Sequence, residues 1–325
     1  MNTVANIPEA VKLEDAACPL CGPSISKFVV AGHDNLYDFP GKFTIVECTT
    51  CHLKRTCPRP TADTIGYYYP ADYGPYKGTI VNEKNTNQSG WKARLISAAK
   101  KVFDTKSTAL PITSETGRML EIGCASGSFL HFMAQSGWQV EGIEFSDDAA
   151  NAARKLGYPV ETGAVETVEK PSSCYDLIVG WMVLEHLHDP VGSLEKMATW
   201  AKPNGKLVVS VPNIGAKTSR FFGSYWHDLH LPNHLYHYDP KSILQVMDAG
   251  GWRVTKIHHH RTIFNLVAST GYWLRDHGIQ RVGEVLIEFP ERGGRVGAML
   301  LFPIAHVLAL FGQTGRMTVW AERKP

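Results

Sequence analysis

The chain has 325 residues, enough for two domains or one enlarged one with a sizeable core. Its 44% hydrophobic and 20% charged content excludes wholesale disorder, and 33 basic against 31 acidic side chains leave no global basic excess of the kind that marks nucleic-acid binding. Seven cysteines are too few and too unevenly spaced for a secreted disulfide scaffold, the first twenty residues lack the apolar core of a signal peptide, and no run of 18 uncharged apolar residues supports an ordinary spanning helix. A cytoplasmic, globular enzyme is the expectation.

The N-terminal stretch carries two C-x2-C pairs, Cys18 with Cys21 in CPLCG and Cys48 with Cys51 in ECTTCHL. Each pair folds into a knuckle that aims two thiolates at one point, and two knuckles complete a tetrahedron around zinc. Four thiolates leave no open position, so the metal is structural. The 26 residues between the pairs hold a hairpin, with a strand at Phe43–Glu47. Cys57, Cys124 and Cys174 have no partner at ligand spacing and read as packing residues. Residues 1–80 form a small zinc-ribbon-like module on this reading. The polar stretch Asn82–Gly90 is a linker, a helix follows over Trp91–Phe103, and a second domain begins near residue 115.

From Arg118 onward strand, turn and helix repeat. Strands are predicted at RMLEIG, WQVEGIEF, YPVETG, DLIVGWMV and KLVVSVPN, with helices at Ser128–Ser136, Asp147–Leu156 and Val191–Ala201 between them. Short apolar strands alternating with helices mean an α/β, doubly wound parallel sheet covered on both faces.

The first strand runs into EIGCASGSF. A dinucleotide fingerprint needs glycine at 123, 125 and 128, but Ala125 and Ser128 stand at two of these positions. Gly123 and Gly127 instead provide one tight turn and one close backbone approach before a helix N-terminus. Glu144, 21 residues past Gly123, ends the second strand, where a carboxylate can accept both hydroxyls of a ribose. This combination resembles the class I S-adenosylmethionine-dependent methyltransferases. DLIVGWMVLEHLHDP resembles the fourth strand and following loop of their ubiquinone-biosynthesis and sugar methyltransferase branch. The resemblance covers roughly residues 115–260 plus the last strand, and it implies a Rossmann-like sheet of seven strands, the last antiparallel. It also implies S-adenosylmethionine as cofactor, held by Glu121, Gly123, Cys124, Ala125 and Gly127, by Glu144 and Phe145, by Ala164 and Val165 beside the adenine, and by Trp181 and Met182. Glu185 and His186 line the site on the same ground. The paired knuckles, followed by RTCPRP and YYYPADYGPY, resemble the N-terminal zinc-binding segment of sugar C-methyltransferases.

After the fifth strand comes WHDLHLPNHLYHYDP, with His227, Asp228, His230, His234, His237 and Asp239. Pro232 interrupts any helix that would pair these as metal ligands. The resemblance places this stretch over the methyl acceptor, with His234 the first candidate for proton removal and His186 the second, from the opposite wall. The alternative is that these histidines are structural. The triple histidine 258–260 is expected at the solvent-facing end of a sixth strand.

The C-terminal part departs from the family pattern. Strand six, Trp252–His258, and strand seven, Met317–Arg323, are separated by an insertion at about 261–315 with a helix at Ile263–His277. From Gly251 onward there are ten Lys/Arg against five Asp/Glu. The insertion holds the uncharged run 296–311, flanked by Arg292, Arg295 and Arg316. One reading buries this run as a lid over the substrate; the other docks it on an anionic lipid surface.

These features together predict a zinc-carrying methyltransferase acting on a hydroxyl or carbon of a sugar or other small biosynthetic intermediate. The runner-up acceptor is a lipid-linked glycan or quinone-like lipid. From other classes, a dehydrogenase is disfavoured by the missing dinucleotide glycines. A zinc-dependent nucleic-acid-binding module lacks a basic stripe, so no nucleic-acid partner is expected.

Overall fold

The computed structural model describes residues 5–70, 116–292 and 294–325. The linker expected at Asn82–Gly90 and the helix expected at Trp91–Phe103 lie outside the described residues.

The N-terminal part contains β1 (Leu13–Glu14), β2 (Ser26–His33), β3 (Lys42–Cys48), β4 (Lys54–Thr56) and β5 (Arg59–Pro60). β2, β3 and β4 form an antiparallel sheet, and β1 pairs with β5. The knuckles close the ends of this sheet. Cys18 and Gly22 exchange backbone hydrogen bonds of 3.1 and 2.8 Å, while Cys48 N–H donates to the Leu53 carbonyl at 3.0 Å and its own carbonyl accepts from His52.

The second part follows as β6 (Arg118–Ile122), α1 (Ser128–Gln135), β7 (Gln139–Glu144), α2 (Asp147–Lys155), β8 (Val160–Thr162), β9 (Tyr175–Trp181), α3 (Pro190–Trp200) and β10 (Ala201–Pro212). Then come α4 (Lys217–Phe222), β11 (Tyr236–His237), α5 (Pro240–Ala249), β12 (Trp252–His259), α6 (Phe264–Asp276), α7 (Gln280–Arg292), α8 (Gly294–Leu310) and β13 (Arg316–Arg323). Seven strands lie in the order β12-β13-β10-β9-β6-β7-β8. The run from β10 to β8 is parallel, and β13 is antiparallel to both neighbours. This is the methyltransferase-type sheet expected from the sequence.

Alternation along the strands explains the two covered faces. Ile178, Leu207 and Val209 belong to one core with Leu194 and Met197 of α3 and Ile243 and Val246 of α5. Their neighbours Leu177, Val179 and Val208 belong to the other, with Leu130 and Met133 of α1 and Ala150 and Ala153 of α2. The alanines let α2 approach closely. Local signals set the helix starts: Asp189 caps α3 and Asp239 caps α5, each ahead of a proline at the first turn.

Two findings tie the parts together. β11, from the segment after β10, pairs antiparallel with β4 and so supplies the fourth strand of the N-terminal sheet. Thr56 Oγ1 also donates to the His234 carbonyl at 2.7 Å.

The triple histidine differs from expectation. β12 runs through His259, and His260 is buried, its N–H donating to the Arg316 carbonyl and its Nε2 lying 2.7 Å from Thr318 Oγ1. Pairing with β13 draws it inward. The insertion between β12 and β13 folds as α6, α7 and α8, and no helix among the described residues is long and apolar enough to cross a membrane.

Candidate active site

A cavity of about 530 Å³ opens at the carboxyl ends of the parallel strands, the side on which open α/β sheets bind ligands. Gly123, Ala125, Glu144, Phe145, Ala164, Val165, Trp181 and Met182 line it. Glu121, Cys124 and Gly127 are not among the lining residues: the Glu121 carboxyl is buried, and Cys124 packs its sulfur against Gly142.

The turn after β6 has the shape its glycines permit. Gly123 has φ +67°, and a Cβ there would lie 2.5 Å from the Val183 side chain. Gly127 has φ +81°, with Ala153 Cβ 2.8 Å from the same imagined atom. Neither position admits a side chain. Ala125, at φ +47°, accepts a left-handed conformation, and its N–H donates to Glu144 Oε2 at 2.8 Å. Ser146 N–H donates to Oε1 at 2.9 Å. The Glu144 carboxylate is thereby pinned in the cavity wall, one N–H on each oxygen. Burial pushes its pKa above the usual carboxylate range, with these N–H groups opposing. Glu121 is pushed up further, by burial and by the charge of Glu144. Met182, at φ +57°, ends β9 in the left-handed region, where a non-glycine residue is strained.

The other wall is built from imidazoles. His234 and His186 stand edge to face with ring centroids 4.7 Å apart, and His230 is 4.9 Å from His234. The two candidates therefore adjoin each other, instead of facing across the cavity as expected, because the loop carrying His234 folds back along the end of β9. Leu235 N–H donates to the Glu185 carbonyl at 2.8 Å. A carbonyl can only accept, so the contact between His234 Nδ1 and the Asp228 carbonyl at 2.9 Å places the proton on Nδ1 and the lone pair on Nε2. His186 Nδ1–H is likewise shared between the Asn233 carbonyl at 3.0 Å and the Tyr69 hydroxyl at 2.8 Å. Burial lowers the His186 pKa to about 4 and, with neighbouring imidazoles, holds His234 and His230 well below the ordinary range. All three rings are neutral near pH 7. Glu185 is 0% exposed, its Oε1 lies 3.9 Å from His234 Nε2, and burial pushes its carboxyl up to about 8.

A family model for the methyltransferase domain matches residues 94–257. The chain belongs to that family. Its domain is that of an S-adenosylmethionine-dependent methyltransferase. A ubiquinone biosynthesis O-methyltransferase of Nitrosospira multiformis is 32% identical over 111 residues, 32% of this chain and 46% of that protein. Another, of Coxiella burnetii, is 27% identical over 165 residues, 46% of this chain and 70% of that protein. The chain spans about half the length of the first of these relatives. Among solved structures, an S-adenosylmethionine-dependent methyltransferase from Mesorhizobium loti aligns over 70% of this chain and 100% of its own, at 16% identity and a TM-score of 0.45.

The methyltransferase site fits its cofactor. Glu144, with a lone pair to spare on each oxygen, would take the ribose hydroxyls. Ala164 and Val165 would flank the adenine, with Gly123, Phe145 and Trp181 in the same cavity wall. At the N-terminus the four cysteine sulfurs lie within 4.8 Å of one another, Cys18 and Cys51 at 3.4 Å. Tetrahedral Zn–S bonds of about 2.3 Å need sulfurs about 3.8 Å apart, so this donor set suits zinc.

Several wall residues escaped the sequence reading. Leu36, Tyr37, Ile65 and Tyr69 reach the cavity from the N-terminal part, and Arg316 from β13. Arg316 lies 3.3 Å from the Asp228 carboxylate, which also accepts from Asn265 of α6 at 2.8 Å. The tyrosine-rich segment around Tyr69 was visible in sequence, but nothing linear connects it to His186.

Proposed function

We propose that this methyltransferase acts on a hydroxyl or activated carbon of a sugar or another small biosynthetic intermediate, with His234 taking the proton. The observation that carries this reading is the His234 ring. Its Nδ1–H is committed to a backbone carbonyl, so its Nε2 lone pair is available in the wall of the cavity that also holds Glu144. S-adenosylmethionine, when bound, supplies a methyl group already activated on a sulfonium. The chain's own task is to align the acceptor at about 3–3.5 Å and to accept its proton. A neutral imidazole offers the lone pair this needs, at a basicity that burial lowers. His186, held by Tyr69 and Asn233, orients the acceptor beside it.

The four-cysteine cluster holds zinc on this reading, and the metal stabilises the part that delivers Tyr69. A lipid-linked glycan or quinone-like lipid is the second acceptor class. The apolar surface of α8 and the relatives named for ubiquinone biosynthesis favour it.

Incubation with labelled S-adenosylmethionine and separate pools of nucleotide sugars, glycolipids and phenolics tests the proposal. Label is expected in the sugar-containing pools. Transfer to the phenolic pool alone would overturn the sugar assignment.

A further inference from the structure

Helix α8 turns an apolar face to water. Between residues 299 and 311 its exposed positions are Met299, Leu300, Pro303, Ile304, Val307, Leu310 and Phe311. Apart from Pro303, these side chains are 51–75% exposed. Their spacing, three and four residues apart, draws one stripe about 18 Å long down the helix. A water-facing helix ordinarily carries charge there; residues 296–315 contain no Lys, Arg, Asp or Glu at all.

The stripe does not end alone. Lys217 N–H donates to Gln313 Oε1 at 2.9 Å, and Gln313 Nε2 donates to the Phe311 carbonyl at 3.2 Å. This bridge sets the start of α4 against the tip of α8. On α4, Phe221 is 83% exposed, and Lys217 and Arg220 are exposed beside it. Apolar side chains flanked by exposed cations match the two layers of an anionic membrane surface, acyl chains below and phosphates above.

The position relative to the cavity also matters. Among the described residues, none of α8 lines the cavity, so they do not form the lid expected as one reading of 296–311. The chain instead runs from Phe311 into Arg316 of the cavity wall, at most about 17 Å even if extended. Asn213, just past β10, holds that turn by donating to the carbonyls of Gly312 and Thr314 at 3.1 and 3.0 Å.

We infer that the outer face of α8, with Phe221, Lys217 and Arg220 of α4, docks the protein on an anionic lipid surface and brings the site close to that surface. Helix α8 lies in the interface and does not cross it. The inference stands whichever acceptor is methylated.

The test is co-sedimentation of the full chain with vesicles of phosphatidylcholine alone and of phosphatidylcholine mixed equally with phosphatidylglycerol. Binding to the anionic vesicles is expected at low salt, weakened at high salt. Leu300→Glu combined with Leu310→Glu should lower the partition coefficient by at least about tenfold. Lys217→Ser with Arg220→Ser should lower it about fivefold per charge. Both positions of the leucine pair already face water, so circular dichroism and melting should match the parent. Absence of binding at low salt, or binding unaltered by the glutamates, overturns the inference. So does a parent dimer that the glutamates dissociate while vesicle binding is absent, since the stripe would then belong to a second copy.

Discussion

Tyr69 and His186, 117 residues apart in sequence, share a hydrogen bond of 2.8 Å. One belongs to the N-terminal part and the other to the loop after β9, so this wall of the cavity is a joint product of both. The pairing of β11 with β4 anchors the same junction from the other side of His234.

Tyr69→Phe keeps the ring and removes the oxygen that accepts from His186 Nδ1–H. A hydrogen bond of this kind is worth about 0.5–1.5 kcal/mol, so turnover should fall roughly 2- to 13-fold with cofactor affinity unchanged. Equal losses in both would mean that the tyrosine is needed for the fold of the cofactor side.

Glu144→Ala deletes the carboxylate pinned by Ala125 and Ser146. Affinity for S-adenosylmethionine or its homocysteine product should weaken by about 1–3 kcal/mol, the scale of hydrogen bonds to a charged group. Titration calorimetry reads this directly, and an unaltered dissociation constant removes Glu144 from the cofactor.

His234→Ala should lower turnover about 10²- to 10⁴-fold if Nε2 takes the proton. His234→Asn separates the roles, because an amide can hydrogen-bond the acceptor but cannot receive its proton. Near-normal turnover in both variants would leave His234 as the residue that ties its loop to the Asp228 carbonyl.

One zinc per chain, ligated only by sulfur, is expected from elemental analysis and X-ray absorption. Cys48→Ser should release it and loosen the N-terminal sheet, since metal-binding energy is folding energy in so small a unit. Methyl transfer should then fail while the larger sheet keeps its melting transition. Protein purified without added metal that returns no thiophilic ion refutes the site.

Stability should peak at mildly acidic to neutral pH. Glu185 keeps its proton up to about 8 in the folded state but loses it near 4.5 when unfolded, so stability falls as pH rises across that window. His186, His237 and His260 stay neutral down to about 4, 3 and 3, while the unfolded chain takes up their protons below about 6.5. Stability therefore also falls as pH drops from 6.5. Each unit of displacement amounts to about 1.4 kcal/mol at most. Urea unfolding of Glu185→Gln should lose the decline between about pH 6.5 and 8. A variant curve parallel to the parent across that range would show that Glu185 titrates normally.

The sheet was legible in sequence because its determinants are local. Apolar strands such as DLIVGWMV bury both faces, and the glycines at 123 and 127 stand where any Cβ would collide. Glu144 is placed by the length of one βα unit, and the cysteine pairs by the geometry of a knuckle. What only the tertiary structure decided lies between elements. That His186 and His234 touch, that Tyr69 meets His186, and that β11 completes the N-terminal sheet all depend on contacts across 48 to 183 residues, which carry no periodic signal. The run 296–311 marks the boundary most clearly. Its hydrophobicity predicts that it shuns water, but burial is a property of what packs against it, and here the fold leaves one face of α8 open.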